Sequence, residues 1–200
     1  MSLLDGDSIT LDLTVPVVIV GGGACGLVAA LSARDAGARV VVLERDRLPQ
    51  GSTALSSGMI TACGTALQRA AGILDDTADL FAADIQAKAN GRAPAELLQT
   101  VCETSGQVID WLVAAHAMDL VLVEGAPYPG HSRQRTHAPP RNSGVDLMAD
   151  LLRAAEAAGV EVMTNATVSD LIVTDDRITG VQVRRPDNSL QQIGCQALVL

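Results

Sequence analysis

The hydrophobic pattern changes period twice within the first fifty residues. Residues 15–20 are continuously apolar and rich in valine, which predicts a strand buried on both faces. Residues 24–36 place apolar side chains at helical spacing and end before Gly37, a residue suited to the C-terminal end of a helix. Residues 39–43 predict a second buried strand. A strand, a helix and a parallel strand in this order predict a right-handed βαβ unit.

The rest of the chain is predicted to contain further helices, followed by further strands. Helical spacing predicts three further helices, at residues 76–88, 94–117 and 143–158, the last opening with a capping box. The longest is predicted to bury one face, formed by Leu97, Val101, Val108 and Leu112. β-Branched runs predict strands at residues 160–163, 168–174, 178–184 and 197–200. The second and third of these strands would form a hairpin in a small antiparallel meander. The segments between the elements are predicted to be loops, the longest at residues 51–65 and 128–142.

Composition supports an α/β fold with a parallel sheet. Apolar residues make up 48% of the chain and the mean hydropathy is +0.27, so a sizeable core can form. The chain has only one Phe, one Tyr and one Trp, and its core must be built from aliphatic side chains. Aliphatic residues dominate sheets that are covered by helices on both faces.

Charge and cysteine usage narrow the function classes. The formal net charge of −9 would repel a phosphate backbone, so nucleic acid is not expected as a partner. The expected partner is a small-molecule substrate. The four cysteines show neither metal-ligand nor disulfide-framework spacing, which indicates no metal site and a reducing compartment. Residues 1–14 lack the features of a signal peptide, and glycines interrupt the longest apolar run, residues 15–31. We therefore expect a cytoplasmic location and no transmembrane segment.

A glycine motif lies at the junction of the first predicted strand and helix. Residues 21–26 match G-x-G-x-x-G. In this motif Gly21 permits the tight turn, Gly23 lets backbone N–H groups approach a pyrophosphate, and Gly26 allows close packing of helix and strand. Glu44 follows at the end of the second strand, where a carboxylate accepts hydrogen bonds from ribose hydroxyls. Together they predict a dinucleotide site on the N-terminus of the helix.

Three interpretations of this site remain open from the residues alone. Glu44 would repel a 2′-phosphate, although Arg45 beside it weakens the argument against NADP. The βαβ unit would serve a nicotinamide-dependent dehydrogenase as well as a flavoprotein. The chain could also be a module or fragment that holds a nucleotide without turnover. A visible absorption spectrum separates the three: flavin bands that substrate bleaches indicate the flavoprotein enzyme, no bands the nicotinamide enzyme, and flavin bands without bleaching the fragment.

The segment after Glu44 carries a family resemblance. Residues 50–59 read Gln-Gly-Ser-Thr-Ala-Leu-Ser-Ser-Gly-Met. This pattern resembles the flavoprotein family of fumarate reductase, succinate dehydrogenase, L-aspartate oxidase and 3-ketosteroid Δ1-dehydrogenase, and the resemblance extends over nearly the whole chain. It implies FAD as the cofactor. It also implies a Rossmann-like parallel-sheet domain of the glutathione-reductase type with a small antiparallel β-meander.

The resemblance implies a set of cofactor-binding residues. The backbone of Cys25 would lie near the pyrophosphate, Ser52 and Thr53 would contact the phosphates, and the backbone of Val168 would hold the adenine. The complete set is Gly21, Gly23, Ala24, Cys25, Gly26, Glu44, Arg45, Gly51, Ser52, Thr53, Ser57, Gly58, Met59 and Val168.

Two positions in the 50–59 segment have particular consequences. The resemblance places Gly58 and Met59 beside the isoalloxazine, where Met59 departs from the usual glycine. In covalently flavinylated members a histidine occupies the position of Ser52, and a hydroxyl cannot form that link. The resemblance therefore implies noncovalent FAD.

A basic loop offers candidates for catalysis without assigning any. His131, Arg133, Arg135 and His137 lie within seven residues of one another in the 128–142 segment. One histidine could donate a proton, or an arginine could hold an anionic substrate. The alternative is an exposed loop whose charges are solvated.

The resemblance also implies a reaction class. Members transfer a hydride between flavin N5 and a carbon–carbon bond next to a carbonyl or carboxylate. Because residues 197–200 form an apolar strand without a following turn, we expect residues 1–200 to be the N-terminal portion of an FAD-binding domain. A capping domain with the catalytic groups is expected beyond residue 200. The substrate, the direction of reaction, the electron partner and the oligomeric state are not specified by these residues.

Overall fold

The computed structural model describes residues 2–125 and 127–200. In chain order its strands and helices are β1 (Leu3–Asp5), β2 (Leu13–Val20), α1 (Ala24–Asp35), β3 (Val40–Leu43), α2 (Gly51–Ala54), β4 (Ile60–Thr61), α3 (Ala66–Ala70), α4 (Ala78–Lys88), α5 (Ala95–His116), β5 (Val121–Leu122), β6 (Thr136–Ala138), α6 (Gly144–Ala157), β7 (Glu161–Met163), β8 (Thr167–Thr174), β9 (Arg177–Arg184) and β10 (Leu190–Val199). They form two compact units, one comprising the chain up to Leu55 together with Met148–Leu200, the other Ser56–Leu147.

The first unit is built on a seven-stranded sheet in the order β1-β8-β9-β10-β2-β3-β7. Strands β10, β2, β3 and β7 are parallel, and β8, β9 and β10 form the antiparallel meander. The predicted βαβ unit is therefore confirmed as β2-α1-β3. Strand β3 is apolar and buried at every position, from Val40 to Leu43, whereas β2 buries Val15, Val18 and Ile19.

Two strands of this sheet differ from the sequence-based expectation. The final strand is not confined to residues 197–200 but runs from Leu190 to Val199, pairing first with β9 and then with β2. It thereby joins the meander to the parallel sheet. Leu3–Asp5 form an unexpected strand that pairs in parallel with β8. This strand is too short to carry a recognisable alternation.

The second unit combines helices α3, α4 and α5 with a small antiparallel sheet of order β4-β6-β5. The predicted loops at 51–65 and 128–142 contain short elements instead, α2 and β4 in the first and β6 in the second. These elements have two to four residues, so no period could reveal them. Within the described residues, no helix is both long and apolar enough to span a membrane.

The buried face of α5 also differs from the prediction. Leu97, Val101 and Val108 are exposed by 62%, 45% and 38%, respectively. The helix instead buries Cys102, Gly106, Ile109 and Leu112. A Cβ on Gly106 would lie 2.1 Å from the carbonyl oxygen of Cys63, so this face is selected by close backbone approach rather than by side-chain size.

Candidate functional site

The glycine motif forms a tight turn between β2 and α1. The Gly21 N–H donates to the carbonyl oxygen of Leu43 at 2.8 Å, which fixes the end of β2 against β3. Gly21 has a φ of +102°, a conformation that side-chain-bearing residues rarely adopt. Helix α1 then begins at Ala24 with Gly23 as its N-cap. The turn therefore directs the N-terminus of α1 to the carboxyl edge of the parallel strands.

Gly23 and Gly26 are required for different reasons. A Cβ on Gly26 would lie 1.9 Å from the Gly21 carbonyl oxygen, so the fold itself excludes a side chain there. Gly23 has extended backbone angles, φ −77° and ψ −178°, and a Cβ there would meet only the Thr53 hydroxyl oxygen, at 3.6 Å. Protein packing thus leaves space in front of Gly23. A ligand that approaches the backbone would use that space.

Glu44 lies at the end of β3 with its carboxylate held by the turn. Its side chain accepts a hydrogen bond from the Gly22 N–H at 2.8 Å and another from the Asp46 N–H at 2.9 Å. Glu44 is only 9% exposed, and no cation holds the carboxylate among the described residues. Carboxylate oxygens accept more than one hydrogen bond each, so this group keeps acceptor capacity for ligand hydroxyls.

The segment after Glu44 returns to the turn. The Thr53 hydroxyl, on the short helix α2, accepts a hydrogen bond from the Ala24 N–H at 3.2 Å. Gly51 and Ser52 on the same helix are exposed, and Gly51 has a φ of +50°. The structure therefore places the Thr53 hydroxyl at the N-terminus of α1, and its contact with a phosphate stays a prediction.

Backbone donors at the start of α1 suit a pyrophosphate. The first N–H groups of any helix lack partners inside the helix and carry its positive dipole end. Across residues 2–125 and 127–200, no protein acceptor is found for the N–H groups of Gly23, Cys25 and Gly26. The open space at Gly23 gives an anion access to them. These residues fit the pyrophosphate of a dinucleotide.

Arg45 and Val168 belong to the same unit as the turn. Arg45 is exposed, and its Nε lies 3.7 Å from the Asp46 carboxylate. Val168, on β8, pairs with Val183 and packs its half-buried side chain against the core. The contact of its backbone with adenine stays a prediction.

Ser57, Gly58 and Met59 lie in the second unit. Gly58 has a φ of +68°, and a Cβ there would lie 2.7 Å from the carbonyl oxygen of Ser143. Its N–H donates to the Ser56 hydroxyl at 3.0 Å. Ser57 is exposed and Met59 is 40% exposed. Their predicted proximity to the isoalloxazine is not tested by these contacts.

The basic loop is neither a set of free catalytic groups nor a solvated surface. Arg135 is fully buried, and its guanidinium donates to Asp76 at 2.7 Å and to Asp84 at 2.5 Å. Burial raises the pKa of Asp84, but hydrogen bonds from Arg135 and Ser132 outweigh this and lower it to about 2. The surface interpretation holds only for Arg133, which pairs with the exposed Asp75. Sequence patterns missed the buried cluster because Asp76 lies 59 residues from Arg135.

His137 is the second buried member of this loop. Its Nδ1 lies 2.9 Å from the Arg135 carbonyl oxygen and its Nε2 lies 2.9 Å from the Thr65 hydroxyl. A carbonyl only accepts, so Nδ1 carries the proton and Nε2 accepts from Thr65. Burial lowers the pKa of His137 and of His131. Both histidines are therefore neutral at pH 7, and His137 has no solvent access for proton transfer.

Comparison with known proteins identifies the family and the fold. The profile of the family described as FAD binding domain matches residues 16–199. The NADH:fumarate oxidoreductase of Klebsiella pneumoniae is 29% identical over 186 residues, which cover 92% of this chain and 20% of that protein. The structure of a flavocytochrome c3 fumarate reductase in its open conformation superposes with a TM-score of 0.87 at 27% identity, covering 98% of this chain and 34% of the other.

A steroid-converting enzyme is also similar. The 3-ketosteroid-Δ4-(5α)-dehydrogenase of Rhodococcus jostii RHA1 superposes with a TM-score of 0.81 at 25% identity, covering 99% of this chain and 48% of that enzyme. The chain thus spans between a fifth and a half of the length of these relatives. The family match covers nearly every residue of both units, and it includes the glycine turn, Glu44 and the segment that follows. This chain belongs to the FAD binding domain family, in which it is similar to fumarate reductase and 3-ketosteroid dehydrogenase flavoproteins.

Proposed function

We propose that this chain holds FAD noncovalently within a flavoprotein that transfers a hydride to or from a carbon–carbon bond next to a carbonyl or carboxylate. One observation carries the cofactor part of the proposal. Glu44 is held by the Gly22 N–H at the edge of the sheet where α1 presents N–H groups without protein acceptors. An acceptor for ribose and donors for pyrophosphate therefore meet at one turn.

Each residue of the turn has a distinct task in this proposal. The N–H groups of Gly23 and Cys25 would bind the pyrophosphate oxygens, and the Thr53 hydroxyl would orient the start of α1 through the Ala24 N–H. Glu44 would accept from the ribose hydroxyls of the adenosine. Its charge would reject a 2′-phosphate at the same position, which favours FAD over NADP in this turn.

The link between flavin and protein follows from Ser52. Ser52 is exposed on α2, and the family resemblance would place it where covalently flavinylated members have a histidine. A serine cannot form a histidyl bond to the flavin, so FAD would be held only by contacts.

The reaction class rests on what the relatives act on. The names of two similar proteins contain fumarate and 3-ketosteroid. Both compounds carry a carbon–carbon bond beside a carboxylate or carbonyl. Bound FAD would supply the hydride acceptor or donor. Because Arg135 and His137 are fully buried and paired, we propose that substrate-binding and proton-donating groups come from the part of such a flavoprotein that this chain does not span. We also propose a cytoplasmic location.

A single sample tests the proposal. The chain loaded with FAD is reduced with dithionite under argon, mixed with fumarate, followed at the flavin absorbance band, and then precipitated with acid. All flavin is expected in the acid supernatant, as FAD, and oxidation by fumarate is expected to be no faster than for free reduced FAD. Yellow colour in the pellet would refute the noncovalent link. Rapid oxidation by fumarate would show that the catalytic groups lie in this chain, with His131 and Arg133 the first to replace.

A further inference from the structure

A basic cavity lies on the first unit, beyond the glycine turn. Its volume is about 330 Å³, and the residues that line it are Arg45, Asn165, Thr167, Ser169, Arg184, Arg185 and Pro186. Thr167 and Arg184 are paired in register on β8 and β9, so their side chains share one face of the meander. Val168 points to the opposite face, into the core. Because successive side chains of a strand alternate between the two faces, the face opposite the core carries the polar residues Thr167 and Arg184.

The charge of this cavity contrasts with that of the whole chain. The chain has 23 acidic residues against 14 basic ones, yet three of its arginines line one cavity whose wall includes no carboxylate among the described residues. The nearest acidic side chains are already engaged. Asp46 lies 3.7 Å from Arg45, and Asp187 accepts from the N–H and the hydroxyl of Ser189 at 2.9 and 2.7 Å.

Most N–H donors of Arg184 and Arg185 are not used by hydrogen bonds within the described residues. Arg185 uses one NH group to donate to the carbonyl oxygen of Thr164 at 3.0 Å, which anchors it at the cavity wall. No ion pair is formed by Arg184 or Arg185 within residues 2–125 and 127–200. A guanidinium has five N–H donors, so most donors of these two side chains are available to a ligand. Among the described residues only Arg45 of the three has a carboxylate within 4 Å, that of Asp46, so the three like charges are not fully compensated and an anion would relieve their repulsion.

We propose that this cavity binds a phosphate group, either as inorganic phosphate or as the phosphate ester of a nucleotide, at a site separate from the FAD pyrophosphate. Planar guanidinium groups bind phosphate through paired hydrogen bonds, and the Thr167 hydroxyl adds a donor. The Ser169 hydroxyl already donates to the Gln182 carbonyl oxygen at 3.3 Å. The site lies beside the loop that follows Glu44, since the Asn165 N–H donates to the Asp46 carbonyl oxygen at 3.1 Å. A phosphate there would sit next to the adenosine end of FAD without replacing it.

Calorimetric titration with inorganic phosphate tests the site on both the FAD-free and the FAD-loaded chain. We expect saturable binding in both forms, and we expect the Arg184→Gln/Arg185→Gln variant to weaken it about tenfold or more, because each lost charge-assisted hydrogen bond is among the strong ones. Arg177→Gln is the matched control, since Arg177 is an exposed arginine at the other end of the same strand, β9. This control is expected to bind phosphate normally. If the double variant unfolds, Arg184→Gln alone replaces it, because Arg184 is exposed.

Further ligands separate the sources of the phosphate. Adenosine 2′-monophosphate that binds more tightly than inorganic phosphate, with adenosine itself not binding, assigns the cavity to a nucleotide phosphate. Equal binding of the two phosphates assigns it to the free anion. The proposal is wrong if no saturable phosphate binding occurs or if the double variant binds as well as the control. It is also wrong if loading with FAD removes phosphate binding, because the cavity then belongs to the FAD site; that result would leave the proposed function intact.

Discussion

Replacing Gly23 by valine is expected to abolish FAD binding while leaving the fold stable. The backbone of Gly23 is extended, and a Cβ there meets nothing closer than the Thr53 hydroxyl oxygen at 3.6 Å. The added side chain would instead occupy the space through which the pyrophosphate reaches the N–H groups of α1. Losing two charge-assisted hydrogen bonds weakens binding by about 100-fold or more. Flavin fluorescence titration measures the loss, and thermal unfolding verifies the fold.

Gly26→Ala provides the contrasting variant. A Cβ on Gly26 would lie 1.9 Å from the Gly21 carbonyl oxygen, so this change should destabilise the protein before any ligand is added. Steric insertion of this kind costs about 1–3 kcal/mol or more. The two substitutions thus distinguish a loss of FAD binding from a loss of stability. A well-folded Gly23→Val protein that binds FAD as tightly as the original would show that the cofactor does not approach this turn.

Replacing Arg135 by glutamine is expected to cost the most stability of any change in the basic loop. Arg135 is fully buried, donates to Asp76 and Asp84, and lies over the Phe81 ring at 4.7 Å from its centre. Removing one partner of a buried ion pair leaves uncompensated charge and costs about 3–5 kcal/mol. The free energy of unfolding, measured in urea, provides the test.

The neighbouring Arg133 supplies a matched control. Arg133→Gln removes an arginine two positions away whose partner, Asp75, is exposed. Solvent screens such a pair, so only a small change in stability is expected. Equal destabilisation by the two substitutions would contradict the structural role assigned to Arg135. Unchanged stability in both would indicate that the buried ion pair does not form.

The part of the fold that depends on local pattern could be predicted from the sequence. Strand β2, helix α1 and strand β3 lie within two residues of their predicted bounds at each end. Continuous valine runs and a glycine motif between them leave few alternatives. The position of Glu44 beside the turn could be predicted as well, because Glu44 directly follows β3.

The features that pattern could not predict depend on distant partners. Strand β1 forms only because Leu3–Asp5 pair with residues of β8, more than 160 positions away. The buried face of α5 is set by the approach of the Cys63 carbonyl to Gly106, which no side-chain period records. From the sequence, Arg135 is interpreted as a candidate catalytic group, because its partner Asp76 is remote in sequence.

Alkylation of Cys25 tests the central claim most directly, namely that the ADP half of FAD lies on the N-terminus of α1. Cys25 is exposed at this turn, whereas Cys63, Cys102 and Cys195 are buried. Burial raises the pKa of each buried thiol, so all three should react slowly with N-ethylmaleimide and serve as internal controls. Peptide mass spectrometry measures the rate at each cysteine.

The account predicts that FAD at roughly ten times its Kd slows alkylation of Cys25 about tenfold. FMN lacks the AMP portion of FAD and should give no protection at the same concentration. Alkylation of Cys25 at the same rate with and without FAD, under conditions where flavin fluorescence shows FAD bound, would contradict the claim.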